Sequence, residues 1–258
     1  MLLHTLLRHF DSDTSLHGIE NLEIRGIRED SRQVQAGDLF IARAGTKTDG
    51  RQFVADAQAK GAVAVVTAER IPGVTLPQIL VKDPAIAAST LAHLLVAQPC
   101  KTVRVLGITG TNGKTTTTYI IRHLLAALQR RCGVIGTVEI DDGRTRRQAS
   151  MTTPSAIEVA QLLATMRDRG CWSCAMEVSS HALAQGRVAG VTFAGAAFTN
   201  LTGDHLDYHK TMENYAAANA KLFEMLDPSA VAVVNINDPW ADRIIRDCKA
   251  RIIQFGIG

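Results

Sequence analysis

Ten residues at positions 107–116, Gly-Ile-Thr-Gly-Thr-Asn-Gly-Lys-Thr-Thr, constrain the fold of this chain more than any other segment. An apolar run at residues 103–108 leads into them, and a helical pattern at residues 115–130 follows. Three glycines, spaced three residues apart, allow the tight turn that joins a strand to a helix in this way. The segment therefore predicts a strand, a glycine-rich loop and a helix in direct succession, which is the opening of an α/β unit.

Apolar runs alternate with helical patterns along the rest of the chain. Strands are predicted at residues 38–42, 62–66, 79–81, 103–108, 132–138, 173–178, 193–199, 230–235 and 251–255. Helices are predicted at residues 53–60, 115–130, 155–169 and 212–226, with one more after Asp83-Pro84. Continuously apolar strands separated by helices indicate mostly parallel sheets that are covered on both faces. The predicted fold class is therefore α/β.

A domain boundary is predicted at Gln98-Pro99, where a helical pattern ends. Residues 1–100 are expected to form a small N-terminal α/β domain, and residues 101–258 a phosphate-loop α/β domain with a mostly parallel sheet. The last apolar strand, at residues 251–255, is followed by Gly-Ile-Gly and by no helical pattern. We therefore expect the second domain to be incomplete in this chain.

The composition indicates a globular chain without a nucleic-acid or membrane partner. Hydrophobic residues make up 46% of the 258 residues, and 28 Lys and Arg nearly balance 25 Asp and Glu. A basic stripe with interleaved aromatic residues, typical of nucleic-acid binding, is missing. The apolar stretch at residues 85–97 is too short to span a membrane, and residues 1–10 lack the apolar core of a signal peptide. We expect a cytoplasmic monomer.

Five cysteines, an odd number, argue against a disulfide framework in such a chain. Cys171 and Cys174 have the spacing of a redox or zinc pair, but no second pair completes four zinc ligands. Because the pair leads directly into an apolar stretch, we interpret both residues as structural cysteines at the entrance of a strand.

The position of the glycine-rich loop between a strand and a helix also predicts its chemistry. Backbone N–H groups of residues 110–116, together with the N-terminus of the following helix, can converge on phosphate oxygens. Lys114 is placed to neutralise the β- and γ-phosphates, and the Thr115 hydroxyl is placed to ligate Mg²⁺. We therefore predict that the loop binds a nucleotide through its phosphates, together with Mg²⁺. The predicted nucleotide-binding residues are Gly110, Thr111, Asn112, Gly113, Lys114, Thr115 and Thr116.

Several stretches of the sequence, taken together, are specific to one family. They are the triple-glycine loop, Asp30-Ser31-Arg32 with residues 37–40 and 48–50, Thr152-Thr153-Pro154, residues 176–183 with Gln185 and Arg187, and residues 199–209. On these residues the chain resembles the Mur ligase family, and within it the MurE type, the UDP-N-acetylmuramoyl-tripeptide synthetases. The resemblance extends from about Gly26 to the C-terminus.

The resemblance implies an ATP-dependent ligase of peptidoglycan synthesis, which phosphorylates a carboxylate and lets an amine attack the acyl phosphate to form an amide. The expected substrates are UDP-N-acetylmuramoyl-L-alanyl-D-glutamate and a diamino acid. Whether the diamino acid is meso-diaminopimelate or L-lysine stays open. Residues 1–100 would bind the UDP-sugar and residues 101–258 would bind ATP. The C-terminal ligase domain of the family is expected to be absent, so we do not expect this chain alone to ligate.

Three residues are implied by the resemblance to be catalytic, namely Lys114, Glu177 and His205, and the implied metal-binding positions are Thr115, Glu177 and His205. Glu177 also lies at the end of an apolar strand, where a carboxylate is costly unless it is paired or metal-bound. A structural, salt-bridged glutamate is the alternative. Because a lone histidine is usually structural, the metal-binding role of His205 depends on its acidic neighbour Asp204 and on the resemblance.

Nine positions match family residues that contact the UDP-sugar substrate. They are Ser31, Thr46, Lys47, Thr48, Thr152, Thr153, Ser179, Gln185 and Arg187. Hydroxyl groups and a guanidinium suit the oxygens of a diphosphate and of a carboxylate. For the serines and threonines, capping of helices is the alternative explanation.

The sequence departs from the family at two positions. In these ligases a lysine after a Tyr-x-x-Ala stretch is typically carbamylated and bridges a second Mg²⁺, and Asn219 occupies this position here. Asparagine cannot form a carbamate, and its neutral amide is a weak Mg²⁺ ligand beside a carboxylate. Lys221 is turned away by roughly 200° around the helix. Met151 stands where the family commonly has asparagine.

Two other functions stay open on the sequence. A short protein that binds a UDP-sugar or a nucleotide without ligation would account for Asn219 and for the missing domain. Another ligase of the superfamily, such as a folate polyglutamate synthetase, would share the phosphate loop. The motifs at residues 30–32 and 179–181 argue against that second possibility.

Overall fold

The computed structural model describes residues 1–8, 21–45 and 48–257. Contacts within the chain divide it into two compact units, Met1–Ala97 and Gln98–Gly258. Each unit contains its own β-sheet, so each is described by itself below.

The described part of the first unit is built on a parallel sheet with the strand order β1-β2-β3-β4. Its strands are β1 (Gly26–Arg28), β2 (Asp38–Ala42), β3 (Ala64–Thr67) and β4 (Gln78–Leu80). Its helices are α1 (Leu3–Leu7), α2 (Val54–Ala59) and α3 (Pro84–Leu95), with short 3₁₀ helices at Ser31–Gln33 and Gly50–Phe53. All nine residues of β2 and β3 are buried, as expected for central strands of a covered parallel sheet.

Local sequence explains where α3 begins. Asp83 accepts hydrogen bonds from the N–H groups of Ala85 (2.8 Å) and Ile86 (3.2 Å), and Pro84 occupies the first helical position. An aspartate cap followed by proline satisfies free N–H groups and presets the helical φ angle. The helix that the sequence predicted after Asp83-Pro84 therefore begins at Pro84, directly after its capping residue Asp83.

The second unit contains a larger, mixed sheet. Its strands are β5 (Arg104–Thr109), β6 (Cys132–Ile135), β7 (Glu139–Asp141), β8 (Arg146–Gln148), β9 (Ser173–Glu177), β10 (Phe193–Phe198), β11 (Val231–Asn235) and β12 (Arg251–Phe255). Its helices are α4 (Lys114–Ala127), α5 (Ala156–Asp168), α6 (Ser180–Ala184), α7 (Leu206–His209), α8 (Met212–Glu224) and α9 (Ala241–Ile245), with a 3₁₀ helix at Pro99–Lys101. The α/β fold with parallel sheets that the sequence predicted is confirmed.

The strand order β12-β11-β10-β5-β9-β6-β7-β8 positions the functional segments. Strand β5 lies between β10 and β9 and is parallel to both. The loops that follow these three strands therefore leave the sheet at the same edge, where ligands of open α/β sheets bind. Strand β12 lies at the far side of the sheet, and its five residues are exposed.

One strand is three residues shorter than predicted. The apolar run at residues 132–138 forms a strand only as far as Ile135, and β7 and β8 then continue as an antiparallel meander. The chain turns at Gly136 because Thr137 bonds to the side chain of Glu177, and the N–H of Gly136 to the carbonyl oxygen of Glu139, instead of continuing the ladder. Such a contact between distant residues is not visible in an apolar run.

The five cysteines of the second unit have free thiols; Cys132, Cys171 and Cys174 are buried, and Cys100 and Cys248 are partly buried. Cys174 has no exposed surface, and Cys171 is 3% exposed. Burial raises the pKa of the Cys171 thiol to about 11 and holds the pKa of Cys174 well above its usual value. Thiols in this state are poor nucleophiles, which agrees with their interpretation as structural residues.

The longest helix among the described residues, α4, has 14 residues and is therefore ~21 Å long. The hydrocarbon core of a bilayer is about 30 Å thick. Within the described part of the chain, no helix combines the length and the apolar character that crossing a membrane requires.

Candidate active site

The glycine-rich loop between β5 and α4 depends on two left-handed glycines. Gly110 has a φ of 129° and Gly113 a φ of 85°, a region that other residues adopt with strain. A Cβ atom on Gly110 would also lie 2.2 Å from Oγ1 of Thr199. The loop can therefore follow this path only with glycine at these positions, and it ends at Lys114, where α4 begins.

Lys114 folds back over the loop that it follows. Its Nζ donates hydrogen bonds to the carbonyl oxygens of Gly110 (2.7 Å) and Thr111 (2.8 Å). Burial lowers the pKa of the Lys114 ammonium, whereas the carboxylates of Glu177 and Asp204 act in the opposite direction. A half-buried cation thus lies at the start of α4, where the N-terminal end of the helix already favours anions.

Asn200, which follows β10, holds the loop in this shape. Its carbonyl oxygen accepts from the N–H of Thr111 (2.8 Å), and its Oδ1 accepts from the N–H of Asn112 (3.1 Å). Its Nδ2 donates to the carbonyl oxygen of Asn112 (3.2 Å). The sequence prediction named no role for Asn200. Its position directly after a strand that neighbours β5 is the signal that could have identified it.

The Thr111 side chain ties the loop to two further segments. Its Oγ1 accepts from the N–H of Thr202 (2.9 Å) and lies 3.2 Å from the hydroxyl oxygen of Tyr215. Tyr215 is 1% exposed and lies on α8. The loop is therefore pre-ordered by contacts with two other elements before any ligand binds.

Glu177, the last residue of β9, is a buried carboxylate next to this loop. It is 1% exposed, and the Thr115 hydroxyl donates to it at 2.9 Å from both carboxylate oxygens. Thr137 donates from its N–H to Oε1 (2.9 Å) and from its Oγ1 to Oε2 (3.0 Å). Among the described residues, no lysine, arginine or histidine forms an ion pair with Glu177, so the alternative of a salt-bridged glutamate has no support.

The donor set at this point suits a magnesium ion that accompanies a nucleotide. Thr115 and Glu177 offer a hydroxyl and a carboxylate, the oxygen ligands that Mg²⁺ prefers. In the part of the chain that the structure describes, no cluster of three or more His, Cys, Asp or Glu side chains is arranged to hold a metal ion. Mg²⁺ at nucleotide sites usually takes one or two protein ligands and completes its shell with phosphate oxygens and water, so the residues present fit it.

His205 lies at the start of α7 in a left-handed conformation, with a φ of 55°. Its Nε2 is 3.6 Å from Oδ2 of Asp204, and its ring makes edge contacts with the rings of His181 (4.9 Å between centroids) and Tyr215 (6.0 Å). Burial lowers the pKa of His181, and His205 and Arg187 add to this effect. Within the described residues, the contacts of His205 do not include Glu177 or Thr115.

Three predicted substrate residues of the second unit are linked to Glu177, Thr153 directly and Thr152 and Ser179 through one further residue. Thr153 donates from Oγ1 to the carbonyl oxygen of Glu177 (2.8 Å) and accepts from the N–H of Ser179 (3.0 Å). Oγ1 of Thr152 lies 3.0 Å from Oγ1 of Thr137. Ser179 also caps α6, since its side chain accepts from the N–H of Ala182. Capping and a role in binding are therefore both compatible with Ser179.

Arg187 completes this group of side chains. Its Nη1 donates to the carbonyl oxygen of Thr153 (2.9 Å) and to Sδ of Met151 (3.7 Å). Its Nε and Nη2 donate to Oε1 of Gln185 (3.1 and 2.7 Å), and Nε2 of Gln185 lies 3.5 Å from the hydroxyl of Tyr208. The fold thus brings together Thr152, Thr153, Ser179, Gln185 and Arg187, which lie up to 35 positions apart in the sequence.

The remaining predicted substrate residues belong to the first unit. Ser31 is 6% exposed and begins a 3₁₀ helix, and its carbonyl oxygen accepts from Nζ of Lys60 (3.2 Å). Thr48 is exposed, and its carbonyl oxygen accepts from the N–H of Gly45. Thr46 and Lys47 lie outside the described residues.

Asn219 lies on α8, directly under the glycine-rich loop, and has no exposed surface. Its Oδ1 accepts from Oγ1 of Thr109 (2.6 Å), the last residue of β5, and its Nδ2 donates to the carbonyl oxygen of Tyr215 (2.8 Å). Lys221, two residues further on, is exposed. A neutral, hydrogen-bonded and fully buried amide does not fit the second metal site that the family resemblance implies.

Replacing Asn219 with alanine should lower the free energy of unfolding of the second unit by about 2 kcal/mol, because the buried Thr109 hydroxyl loses its acceptor. Urea unfolding followed by tryptophan fluorescence measures this change, since Trp172 and Trp240 both belong to that unit. Lys221→Ala, an exposed change on the same helix, serves as the control and should stay within about 0.5 kcal/mol of wild type. An equally small change in Asn219→Ala would show that this hydrogen bond contributes nothing.

Comparison with protein families matches both units. Residues 108–258 match the Mur ligase middle domain, and residues 23–97 match the description "Mur ligase family, catalytic domain". A UDP-N-acetylmuramoyl-L-alanyl-D-glutamate–2,6-diaminopimelate ligase of Gloeobacter violaceus is 46% identical over 246 residues, which cover 95% of this chain and 50% of that protein. The ligase of the same name from Bacillus cereus is 41% identical and covers 100% of this chain and 53% of its own length. The chain therefore spans about half the length of the curated relatives that it matches.

The fold of this chain is similar to that of solved Mur ligase structures. A ligase with the same name superposes with a TM-score of 0.85 at 30% sequence identity, covering 99% of this chain and 52% of that one. The MurF ligase of Thermotoga maritima, solved in complex with ADP, has a TM-score of 0.59 at 22% identity and covers 92% of this chain and 51% of its own. At that identity the second similarity concerns the fold alone.

Proposed function

This chain belongs to the Mur ligase family, and on that premise we propose that it carries the UDP-sugar-binding and ATP-binding parts of a MurE-type ligase. The reaction is the ATP-dependent, ADP-forming addition of a diamino acid, meso-diaminopimelate or L-lysine, to UDP-N-acetylmuramoyl-L-alanyl-D-glutamate in peptidoglycan synthesis. We propose that the protein acts in the cytoplasm as a monomer.

One observation supports this proposal more than any other. A glycine-rich loop with the cation of Lys114 at its end stands directly beside the buried carboxylate of Glu177, and the Thr115 hydroxyl joins the two. This arrangement offers backbone N–H groups and one cation to a triphosphate, and a hydroxyl and a carboxylate to its magnesium ion. The three features serve phosphoryl transfer, in which positioning and electrostatic stabilisation are the main tasks of the protein.

In the proposed reaction, a carboxylate oxygen of the dipeptide attacks the γ-phosphorus of ATP, which forms an acyl phosphate and releases ADP. The amine of the diamino acid then attacks the acyl carbon, forms the amide and releases phosphate. In this chain, Lys114 and the loop N–H groups hold and neutralise the phosphates. Thr115 and Glu177 would hold Mg²⁺, which supplies positive charge to the transferring phosphoryl group. His205 is proposed as a further catalytic and metal-binding residue near the same edge of the sheet.

The UDP-sugar substrate is assigned to two sets of residues. In the second unit the set is Thr152, Thr153, Ser179, Gln185 and Arg187; hydrogen bonds join the last four to one another, and Thr152 is bonded to Thr137. The guanidinium of Arg187 supplies the cation that a substrate carboxylate or phosphate needs. In the first unit we assign Ser31, Thr46, Lys47 and Thr48 to the UDP moiety.

Isothermal titration of the 258-residue chain with UDP-N-acetylmuramoyl-L-alanyl-D-glutamate tests the substrate assignment. Wild type should bind, and Arg187→Ala should bind ~10-fold more weakly, because the substrate loses one charge-assisted contact, worth ~1.4 kcal/mol at this ratio. Arg144→Ala is the matched control, since Arg144 is exposed at the turn between β7 and β8 and should leave the affinity unchanged.

Two outcomes would contradict the assignment. If the chain bound Mg·ADP but gave no heat with millimolar UDP-muramoyl dipeptide, the assigned substrate class would be wrong. The assignment of the nucleotide site would not be affected. If Arg187→Ala bound the dipeptide as tightly as wild type, Arg187 would not belong to the substrate site.

A second candidate function is binding of the UDP-sugar and the nucleotide without ligation. The fully buried amide of Asn219 favours it, because this residue adds no charge beside the phosphate loop. The two candidates differ in one measurement, made with the C-terminal half of the Gloeobacter violaceus relative fused to this chain. Phosphate release that requires ATP, the UDP-muramoyl dipeptide and the diamino acid together would support ligation. Tight binding of both ligands without such release would support the binding protein.

A further inference from the structure

Thr137 contacts the same two carboxylate oxygens of Glu177 that Thr115 contacts. Its N–H is 2.9 Å from Oε1 of Glu177, and its Oγ1 is 3.0 Å from Oε2. Because each carboxylate oxygen receives one of these hydrogen bonds, the plane of the carboxylate is fixed as well as its position. Thr115 shares one hydroxyl proton between the two oxygens and therefore fixes the plane less than the two donors of Thr137 do.

The backbone around Thr137 is shaped for this approach. A Cβ atom on the preceding residue, Gly136, would lie 2.3 Å from Oε1 of Glu177. Only glycine therefore lets the segment after β6 pass so close to the carboxylate. The β6 strand ends at Ile135 for the same reason, since the next N–H groups leave the ladder to face Glu177 and β7.

The hydroxyl of Thr137 also connects Glu177 with the loop that carries Thr152. Oγ1 of Thr137 lies 3.0 Å from Oγ1 of Thr152. A hydroxyl has one proton, and a bond to a carboxylate is the stronger of its two options. The Thr137 hydroxyl is in position to donate to Glu177 or to Thr152, so these two acceptors compete for its single proton. Thr152 is thereby linked through Thr137 and Glu177 to Thr115.

We propose that Thr137 is a positioning residue that aims the Glu177 carboxylate at the glycine-rich loop and couples ligand binding at the loop to ligand binding at Thr152. The inference rests on the proposed function, because it takes a nucleotide at the first place and a UDP-muramoyl dipeptide at the second. A ligand that donates a hydrogen bond to the Thr152 oxygen removes the competing acceptor for the Thr137 proton, which then stays on Glu177 and favours the orientation of Glu177 that the nucleotide site uses. Binding of either ligand should then strengthen binding of the other by the same factor.

The experiment measures the affinity of the full chain for a fluorescent, non-hydrolysable Mg·ATP analogue, with and without saturating UDP-muramoyl dipeptide. In wild type the dipeptide should tighten nucleotide binding ~5-fold, the lower end of common coupling factors. Thr137→Val, which keeps the N–H and the shape but removes the hydroxyl, should weaken nucleotide binding ~10-fold and abolish the coupling. Thr137→Ser should restore both to within about twofold of wild type. The hydroxyl, and not the packing of the side chain, would then be the cause.

Two further variants make the test decisive. If circular dichroism shows that Thr137→Val does not fold, Thr137→Ala replaces it, because this change adds no atoms. Thr137→Ala should also weaken nucleotide binding and abolish the coupling. Thr192→Val removes an exposed threonine hydroxyl elsewhere in the second unit and should leave affinity and coupling unchanged.

The outcomes separate this inference from the proposed function. Normal nucleotide affinity and normal coupling in folded Thr137→Val or Thr137→Ala would overturn the role of Thr137 while leaving the nucleotide site intact. The same conclusion follows if Thr137→Ser behaves like Thr137→Val. Failure of the wild-type chain to bind the nucleotide at all would overturn the proposed function, and this inference with it.

Discussion

Replacing Lys114 with alanine should weaken the binding of Mg·ADP, or of a non-hydrolysable Mg·ATP analogue, by ~100-fold or more, the equivalent of ~2.8 kcal/mol. Lys114 supplies the cation at the N-terminal end of α4, and its Nζ also bonds to two carbonyl oxygens of the glycine-rich loop. The variant therefore loses a charge-assisted contact with phosphate and part of the order of the loop. Isothermal titration of both proteins measures the ratio.

The control for this prediction is Lys221→Ala, which removes an exposed lysine from α8 of the same unit and should bind the nucleotide as wild type does. Circular dichroism of Lys114→Ala should stay native, since the side chain supports the loop and not the apolar core. Unchanged nucleotide affinity in a natively folded Lys114→Ala protein would refute the phosphate-loop assignment.

The first unit should lose ~3 kcal/mol of stability as the pH falls from about 7 to about 4, and the cause is His93 on α3. His93 is 2% exposed, and burial lowers its pKa from 6.5 to about 4. Between these two pKa values the unfolded chain binds a proton that the folded chain does not bind. The stability contributed by neutral, buried His93 is therefore fully present above pH 6.5 and is lost as the pH falls toward 4. About 2 kcal/mol of the loss should appear by pH 5.

Hydrogen exchange of the peptide that covers α3 tests this prediction, because the first unit contains no tryptophan or tyrosine to report on its unfolding. Comparing wild type with His93→Leu at each pH removes the intrinsic pH dependence of exchange. The variant should lose most of the pH dependence that wild type shows between pH 7 and pH 5. His123→Leu, a change of an exposed histidine on α4, should keep it. Equal pH dependence in wild type and His93→Leu would show that His93 titrates normally.

Most of the fold follows from local patterns in the sequence. The predicted strands at residues 38–42 and 251–255 coincide with β2 and β12, and the predicted strand, loop and helix at residues 103–130 correspond to β5, the glycine-rich loop and α4. Apolar runs and glycines with positive φ determine the structure of the few residues around them, so they can be recognised in the sequence alone. The strand predicted at residues 132–138 was too long, because its end depends on a side chain 40 residues away.

The site could be predicted in part. Lys114, Thr115, Thr152, Thr153, Ser179 and Arg187 were named from motifs, and the structure describes all of them in one unit. Their roles in binding stay predictions. Asn200, Thr137 and Tyr215 received no role from the sequence, although all three contact the glycine-rich loop or Glu177. Asn200 and Tyr215 lie in segments that carry the family resemblance, but their contacts, like those of Thr137, depend on which strands become neighbours.

The sequence by itself determined the α/β alternation, the phosphate loop and the family, because these depend on the order and spacing of residues along the chain. Only the tertiary structure decided that β5 lies between β9 and β10, and with this order it brought Glu177 beside Thr115 and Asn200 onto the loop. It also decided that Asn219 is buried and accepts a hydrogen bond from Thr109. The physical reason is that strand order and burial depend on packing of the whole core. In that core, the contacts of each side chain involve residues that lie far away in the sequence.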